Sequence, residues 1–142
     1  DGAILGNFEV LLYRHSDGYP GKAGKDGGPG VVPDILPFVR EFVARRGYDP
    51  EYMGACLAAY LKHWHCGGPL VDRSSGYYRA KDNVAVNGFE TSPLGHGICR
   101  GFHSDIDYFY AITPSALKVY SVRRGHDGRL SFGEIESHGI MA

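Results

Sequence analysis

Histidine and aspartate stand two residues apart at two places in the sequence, each beside an apolar run that is predicted to form a β-strand. The first pair is His15 and Asp17, and the second is His103 and Asp105. A carboxylate that accepts a hydrogen bond from an imidazole fixes the tautomer of the ring and raises its basicity, which suits general acid–base catalysis. The same nitrogen and oxygen ligands suit a divalent metal ion. If the two strands are neighbours in one sheet, both pairs converge at one end of it.

A structural interpretation of these residues stays open beside the catalytic one. A tight turn uses aspartate to accept local N–H bonds and glycine to adopt positive φ, and Asp17 and Gly18 supply both. The histidines would then be half-buried hydrogen-bonding residues. A turn does not require an imidazole, however, so the catalytic candidates are His15, Asp17, His103 and Asp105. The predicted ligand-binding residues beside them are Arg14, Tyr19, Asp107 and Tyr108.

Strand alternation predicts how the second cluster is oriented. If its strand begins early, one face carries His103, Asp105 and Asp107. The opposite face then carries Ile106, Tyr108 and Tyr110. The polar residues and the aromatic residues are therefore predicted to separate onto the two faces of the sheet.

Two motifs can be written around these clusters. The first is Tyr-Arg-His-x-Asp-Gly-Tyr-Pro at the end of a strand. The second is a later strand of the form His-x-Asp-(Asp/Glu)-Tyr-x-Tyr, to which HSDIDYFY corresponds in this chain. Together they resemble a group of small uncharacterised proteins of bacteria, phages and other mobile elements, and the likeness covers residues 12–20 and 103–120. The resemblance implies no activity, but it implies that the two motifs form a common site. The glycine-rich insertion before Val31 departs from the group.

Two helices are predicted between the motifs. Pro33 and Asp34 mark the start of the first, and Gly47 marks its end. The second begins at Asp49 and Pro50, because a capping residue followed by proline is typical of a helix start. Before the first helix, half of residues 21–30 are glycine. That segment is predicted to form a flexible loop, since it can bury too little surface to offset the entropy of ordering it.

Alternating apolar and aromatic residues predict four strands, over residues 4–13, 106–113, 117–122 and 130–135. The middle two form a hairpin, and residues 91–102 are predicted to be a loop. One strand, two helices and a run of strands, in that order, indicate a single α+β domain over residues 1–142. Its predicted architecture is a mostly antiparallel β-sheet with two α-helices packed on one face.

Composition sets the class of protein and argues against several partners. The chain of 142 residues has a formal net charge of -1, so nothing draws it toward nucleic acid or an anionic membrane surface. No apolar run approaches the roughly 20 residues of a membrane-spanning helix. Three cysteines leave at least one unpaired in a monomer, which favours a reducing compartment. We therefore expect a cytoplasmic protein that binds neither nucleic acid nor membrane.

A zinc site is a competing interpretation of the histidines and cysteines. The ligands on offer are His63, His65, Cys66, His96, Cys99 and His103. Paired Cys-x-x-Cys spacing is absent, however, and the three candidates at the end of the second helix cannot all point inward. We therefore assign no metal, and the cofactor is unknown.

Three classes of function remain open. One is a non-enzymatic interaction protein, an accessory factor of a mobile element that makes contact through its aromatic sheet or its helices. Another is a small-molecule-binding protein whose pocket is lined by the His/Asp residues and Tyr19. A third is an acid–base or metal-assisted hydrolase that uses the same residues. The first two are favoured because no nucleophile, cofactor motif or metal set is evident. A homodimer is also expected, since tyrosine-rich strands at a sheet edge invite pairing.

Overall fold

The computed structural model describes residues 2–7, 10–14, 18–21, 30–65 and 96–141. Its elements along the chain are β1 (Gly2–Gly6), β2 (Leu11–Arg14), α1 (Val31–Arg46), α2 (Pro50–His65), β3 (His96–Cys99), β4 (Ile106–Ile112), β5 (Ala116–Arg124) and β6 (Leu130–Gly139). The strands form one sheet in the order β3-β2-β1-β4-β5-β6. All neighbouring strands are antiparallel except β1 and β4. The predicted α+β fold with a mostly antiparallel sheet is thus confirmed.

The two helices cover one face of the sheet, which we call the helix face. Helix α1 places Ile35, Val39 and Phe42 on one side, at the spacing of successive helical turns, and all three are buried. They join a core with residues of α2 and with sheet residues such as Leu5 and Leu12. Each fully buried aliphatic side chain stabilises the fold by about 2 kcal/mol. This core therefore fixes the helices against the sheet.

The opposite side of the sheet, the far face, has a smaller apolar cluster of its own. Its buried residues are Ile4, Ile106, Phe109 and Val122, with Tyr13, Cys99 and Tyr120 among those packed against them. In the part of the chain that the structure describes, no helix lies on this face. The two faces therefore offer different environments for the residues of the motifs.

The first predicted strand is in fact two strands, so the single strand over 4–13 is wrong. Gly6 has a φ of 133°, which favours glycine, and the chain reverses between β1 and β2. The Asn7 N–H donates to the Val10 carbonyl, and the Asn7 side chain accepts a bond from the Val10 N–H. An asparagine that bonds its own neighbouring backbone is a turn former. At this position the asparagine turn reverses the chain, although the alternating apolar residues are typical of a single strand.

A β-bulge in β4 corrects the predicted orientation of the second cluster. Gly2 pairs with Ile106 and Ala3 with Tyr108, so Asp107 is an extra residue opposite β1. A bulge of this kind shifts the phase of alternation. Ile106 therefore packs in the far-face cluster, whereas Tyr108 packs on the helix side, and the predicted shared face for these two residues is wrong.

Three other elements differ from their predicted bounds. Residues 91–102 were predicted to be a loop, but β3 lies within them and pairs with β2. Strand β6 extends to Gly139, and α1 begins at Val31. The predicted flexible loop falls mostly on residues 22–29, which lie outside the described residues.

The start of α1 is fixed by the last two residues of the first motif. The Val31 and Val32 N–H groups donate to the carbonyls of Tyr19 and Pro20. Pro33 has no N–H, and the Asp34 N–H donates to the Gly30 carbonyl. The Val31 and Val32 N–H groups, which a helix start leaves without intrahelical partners, are thereby satisfied. This arrangement holds the first motif against α1.

Candidate functional site

The two motifs meet on either side of strand β1. Ala3 in β1 pairs with Arg14 of the first motif on one side and with Tyr108 of the second on the other. The strands of the motifs are therefore separated by one strand rather than adjacent. His15 and Asp17, two of the four predicted catalytic residues, lie outside the described residues.

On the far face, Tyr13 connects the first motif to His103 and Asp105. The rings of Tyr13 and His103 stack with centroids 4.2 Å apart. The Tyr13 hydroxyl donates to Asp105 Oδ2 over 3.4 Å, and His103 Nδ1 lies 3.9 Å from Asp105 Oδ1. Burial, and then the Asp105 carboxylate, raise the pKa of Tyr13, so the hydroxyl stays a neutral donor. We call these three residues the His103 cluster.

The His103 cluster is open to solvent. The side chains of His103 and Asp105 are 43% and 61% exposed. An exposed pair at this separation contributes little to stability, on the order of 0.5 kcal/mol. The contact between His103 and Asp105 therefore adds little to the stability of the fold. It places an imidazole beside a carboxylate where a ligand can reach both. Such a pair can accept and release a proton.

On the helix face, Arg14 is fully buried and belongs to an internal ion pair. Its Nη1 atom lies 3.9 Å from Asp34 Oδ2 at the start of α1. Asp34 also accepts a hydrogen bond of 3.0 Å from the Tyr60 hydroxyl of α2. The group joins β2, α1 and α2, and we call it the Arg14 network. Arg14 thus contacts Asp34 inside the protein, away from the solvent-exposed His103 cluster.

The remaining predicted ligand-binding residues are divided between these places. Tyr19 lies against Tyr108 on the helix side, with ring centroids 6.3 Å apart in an edge-to-face arrangement. Asp107 is exposed at the bulge of β4. The structure therefore brings Tyr19 and Tyr108 together, and separately His103 and Asp105. It does not unite all the described candidates in one site.

The sequence analysis did not single out Tyr60 and Tyr110, two tyrosines whose hydroxyl groups form hydrogen bonds on the helix face. The Tyr110 hydroxyl donates to the carbonyl of Gly18, within the first motif. Burial and the nearby Tyr108 raise the pKa of Tyr110 well above its ordinary value of 10.0, although Arg14 opposes the shift. Burial, and then Asp34, also raise the pKa of Tyr60. The alternating tyrosines of β4 indicate that Tyr110 lies on the same face as Tyr108. No local sequence pattern predicts the contact of Tyr60 with Asp34, which lies 26 residues away in the chain.

The raised pKa values of Tyr60 and Tyr110 predict that the protein loses stability in alkali. An unfolded tyrosine releases its proton near pH 10, before the buried ones do. The neutral tyrosines therefore contribute their full stability below about pH 10, and that contribution falls as the pH rises toward their folded-state pKa. We expect the free energy of unfolding in urea to fall between pH 9 and pH 11.

A pair of variants checks this pH dependence. Tyr60→Phe removes one of the tyrosines whose pKa is raised, so its free energy of unfolding should fall less steeply with pH than that of the wild type. Tyr52→Phe is the matched control, because it removes the hydroxyl of an exposed tyrosine on the same helix. Equal slopes in Tyr60→Phe and the wild type would contradict the prediction.

A groove lined by aromatic residues lies on the far face, and it was not predicted. Its volume is about 280 Å³, and we call it the aromatic groove. It is lined by Phe102, Phe109, Ala111, Thr113, Tyr120 and Phe132. Phe102 directly precedes His103 in the chain, so the groove and the His103 cluster adjoin.

The rings of the aromatic groove support one another. Phe102 meets Phe109 edge to face with centroids 4.9 Å apart, and it lies 5.3 Å from Phe132. Phe109 stacks on Tyr120 at 5.9 Å. Phe109 is nearly buried, but Phe102 is 37% and Phe132 42% exposed. The groove therefore has a fixed floor and two rings that remain accessible.

An ion pair lies next to the aromatic groove. Lys118 pairs in register with Ala111, and Glu134 pairs in register with Tyr120. The Lys118 Nζ atom is 3.4 Å from Glu134 Oε1, and both side chains are partly exposed. These groups give the groove a polar border on the side away from the His103 cluster.

The described residues contain neither a cluster of metal ligands nor a membrane-spanning helix. Among these, no three His, Cys, Asp or Glu side chains lie close enough to hold a metal ion together. Cys56 and Cys99 carry free thiols, and burial raises the pKa of Cys99. Cys66 and the side chains of His63 and His65 lie outside the described part. Neither described helix combines the length and apolar character needed to cross a bilayer.

Comparison with protein-family models, with curated proteins and with solved structures gave no match to this chain.

Proposed function

We propose that the protein binds a small molecule in the aromatic groove, with His103 and Asp105 as polar contacts at one end. The observation that carries this proposal is the groove itself, in which Phe102 and Phe132 stay exposed above a buried Phe109. A contiguous set of exposed rings is costly in water, and such patches often mark binding sites. Its volume of about 280 Å³ suits a ligand of one or two rings.

The ring geometry favours a planar ligand. Aromatic rings attract one another in edge-to-face and offset-stacked arrangements, each worth about 1 kcal/mol beyond the buried area. Phe109 and Tyr120 are already stacked and can extend that stack to a further ring. The His103 cluster then offers an imidazole and a carboxylate to polar atoms on the ligand's edge. This combination of an apolar floor and a few polar groups is typical of small-molecule sites.

Titration with indole, a neutral planar two-ring probe, tests the proposal. We expect indole to shift the backbone amide NMR signals of Phe102, Phe109 and Phe132. Phe132→Ala should weaken the binding about tenfold, because it removes an accessible ring and its apolar area. Phe132 is on the edge strand β6 and 42% exposed, so the variant should keep its fold.

Ile135→Ala is the matched control for this titration. Ile135 is on the same strand and 51% exposed, but it does not line the groove. The control should bind indole as the wild type does. The proposal fails if indole leaves the groove amides unchanged, or if the two variants lose equal affinity.

An acid–base or metal-assisted hydrolase is the second candidate function. It is favoured by one observation, the approach of His103 Nδ1 to Asp105 Oδ1 beside the Tyr13 hydroxyl. In this alternative His103 is the general base and Asp105 orients it. Hydrolysis of p-nitrophenyl acetate that disappears in His103→Ala would favour the enzyme. Indole binding without turnover favours the binding protein.

We also propose a cytoplasmic protein that acts as an accessory factor of a mobile element, does not bind nucleic acid and forms a homodimer. Support for the dimer comes from the sheet edges. Among the described residues β6 pairs only with β5, and its outer edge is ten residues long. An open edge of this length can pair with a second copy.

A further inference from the structure

We infer that a second ligand site lies between the two helices and takes a small aromatic carboxylate. The site is a groove of about 330 Å³ near the turn that joins α1 to α2, and we call it the helix groove. Its walls include Phe38, Phe42 and Tyr52, and its lip carries Glu41, Arg45 and Arg46. This inference is independent of the function proposed above, because the aromatic groove lies on the far face of the sheet.

The floor of the helix groove is aromatic and fixed in place. Phe42 meets Tyr52 edge to face, with ring centroids 5.6 Å apart. Phe38 packs on Tyr60 at 4.9 Å and lies 6.5 Å from Phe42. Phe42 is buried in the main core, whereas Tyr52 is half-exposed. The floor therefore presents ring surface to a ligand without having to rearrange first.

The two arginines at the lip are engaged in different ways. Arg45 is held by Glu41, since its Nε and Nη2 atoms both lie 2.9 Å from Glu41 Oε1. Arg46 instead lies over the ring of Tyr52, with its guanidinium carbon 4.4 Å from the centroid. Within the described ranges the Arg46 side chain makes no ion pair. Its charge is therefore positioned by an aromatic ring rather than by a carboxylate.

A guanidinium that stacks on a ring keeps its N–H groups available at its edge. Those N–H groups match the two oxygens of a carboxylate, to which arginine donates two parallel hydrogen bonds. With Glu41 and Arg45 neutralising each other, the lip has one net positive charge. A ligand with one carboxylate satisfies that charge. The aromatic floor a few ångströms away takes the ring to which the carboxylate is attached.

The volume of the helix groove limits the size of the ligand. About 330 Å³ is near the lower bound for small-molecule sites, so one or two fused rings fill it. The chemical class is thus a planar ring system with a single carboxylate. Naphthalene-2-carboxylate has both features, and 2-naphthamide has the same shape without the charge.

NMR titration of the whole chain with these two compounds tests the inference. We expect naphthalene-2-carboxylate to shift the backbone amide signals of Phe42, Tyr52 and Cys56, and to bind about tenfold more tightly than 2-naphthamide, because hydrogen bonds to a charged group are among the stronger ones. Arg46→Gln should abolish this preference while leaving the thermal unfolding midpoint unchanged. Arg124→Gln, at the exposed end of β5, is the control and should keep the preference.

Three results would overturn the inference. One is equal binding of the acid and the amide to the wild type. Another is a preference for the acid that survives in Arg46→Gln. The third is a set of shifts confined to Phe102, Phe109 and Phe132, which would place the probe in the aromatic groove. Since the indole titration reports on the aromatic groove alone, each proposal can fail while the other stands.

Discussion

Replacing Asp34 by asparagine is expected to lower the free energy of unfolding by about 3 kcal/mol, because it removes the negative charge that faces the buried guanidinium of Arg14. Arg14 is fully buried, and the Asp34 side chain is only 7% exposed. Two such charges 3.9 Å apart attract each other by about 4 kcal/mol at the effective dielectric constant near 20 that suits protein sites. Asparagine keeps the size of the side chain and loses this attraction.

The choice of asparagine separates the charge from the hydrogen bond. The Asp34 Oδ1 atom accepts a bond from the Tyr60 hydroxyl, and an asparagine oxygen can accept the same bond. Tyr60→Phe removes that bond and the contact of 3.1 Å from the same hydroxyl to the Asp34 carbonyl, but it keeps the charge of Asp34. It should cost about 1 kcal/mol. Urea unfolding at pH 7 measures all the variants. A loss in Asp34→Asn no larger than that in Tyr60→Phe would show that the charge of Asp34 is not needed.

The double variant with Asp34→Asn and Arg14→Met tests whether the charges of these two side chains interact. The cost of Asp34→Asn comes from a buried positive charge that has lost an opposite charge, so Arg14→Met should recover part of it. Residues in contact are expected to be non-additive in this way by about 1 kcal/mol or more. If Asp34→Asn alone does not fold, we expect the double variant to fold and to regain a cooperative unfolding transition, which would show the same interaction. Strict additivity would mean that the two side chains do not interact.

The helices and the C-terminal hairpin could be predicted because their signals are local. The buried side of α1 repeats every three to four residues, through Ile35, Val39 and Phe42, and Gly47 ends the helix. The hairpin alternates apolar and aromatic residues on both strands and turns between β4 and β5. In each case one short stretch of chain contains the whole pattern. Tertiary packing then agrees with the local preference.

The sheet order could not be predicted, because it depends on pairing between distant parts of the chain. Strand β1 pairs in parallel with β4, about a hundred residues further on, and local patterns do not report such contacts. The bulge at Asp107 also depends on that pairing, and it moves Ile106 to the far face. Sequence alternation assumes a regular strand, so it assigned Ile106 to the wrong face.

The candidate residues that the structure describes lie in two places for a related reason. Tyr13 and Arg14 are neighbours in β2, and adjacent residues of a strand point to opposite faces. Tyr13 therefore reaches His103 on the far face, while Arg14 reaches Asp34 on the helix face. The motif shows only that these residues are neighbours in the sequence. It does not show that their side chains lie on opposite faces of the sheet.

Gly6→Ala is expected to be the most damaging single substitution at the turn that was missed. A Cβ atom on Gly6 would lie 2.1 Å from the Val10 carbonyl oxygen, far inside any contact distance. The same carbonyl accepts the bond from the Asn7 N–H, so it cannot move away without losing that bond. The φ of 133° adds strain for any residue with a side chain. We expect a loss of about 4 kcal/mol, seen as a fall of roughly 12 °C in Tm.

The size of this effect follows from the position of β1 in the sheet. Strand β1 is internal, it pairs with both motif strands, and all five of its residues are buried. A shift at Gly6 therefore disturbs β2 and β4 together. Gly139→Ala is the matched control, because a Cβ there meets no atom within 4 Å, and it should change stability by less than about 0.5 kcal/mol. A melting curve of Gly6→Ala that overlays that of Gly139→Ala would mean that the backbone does not reverse at Gly6 in this way.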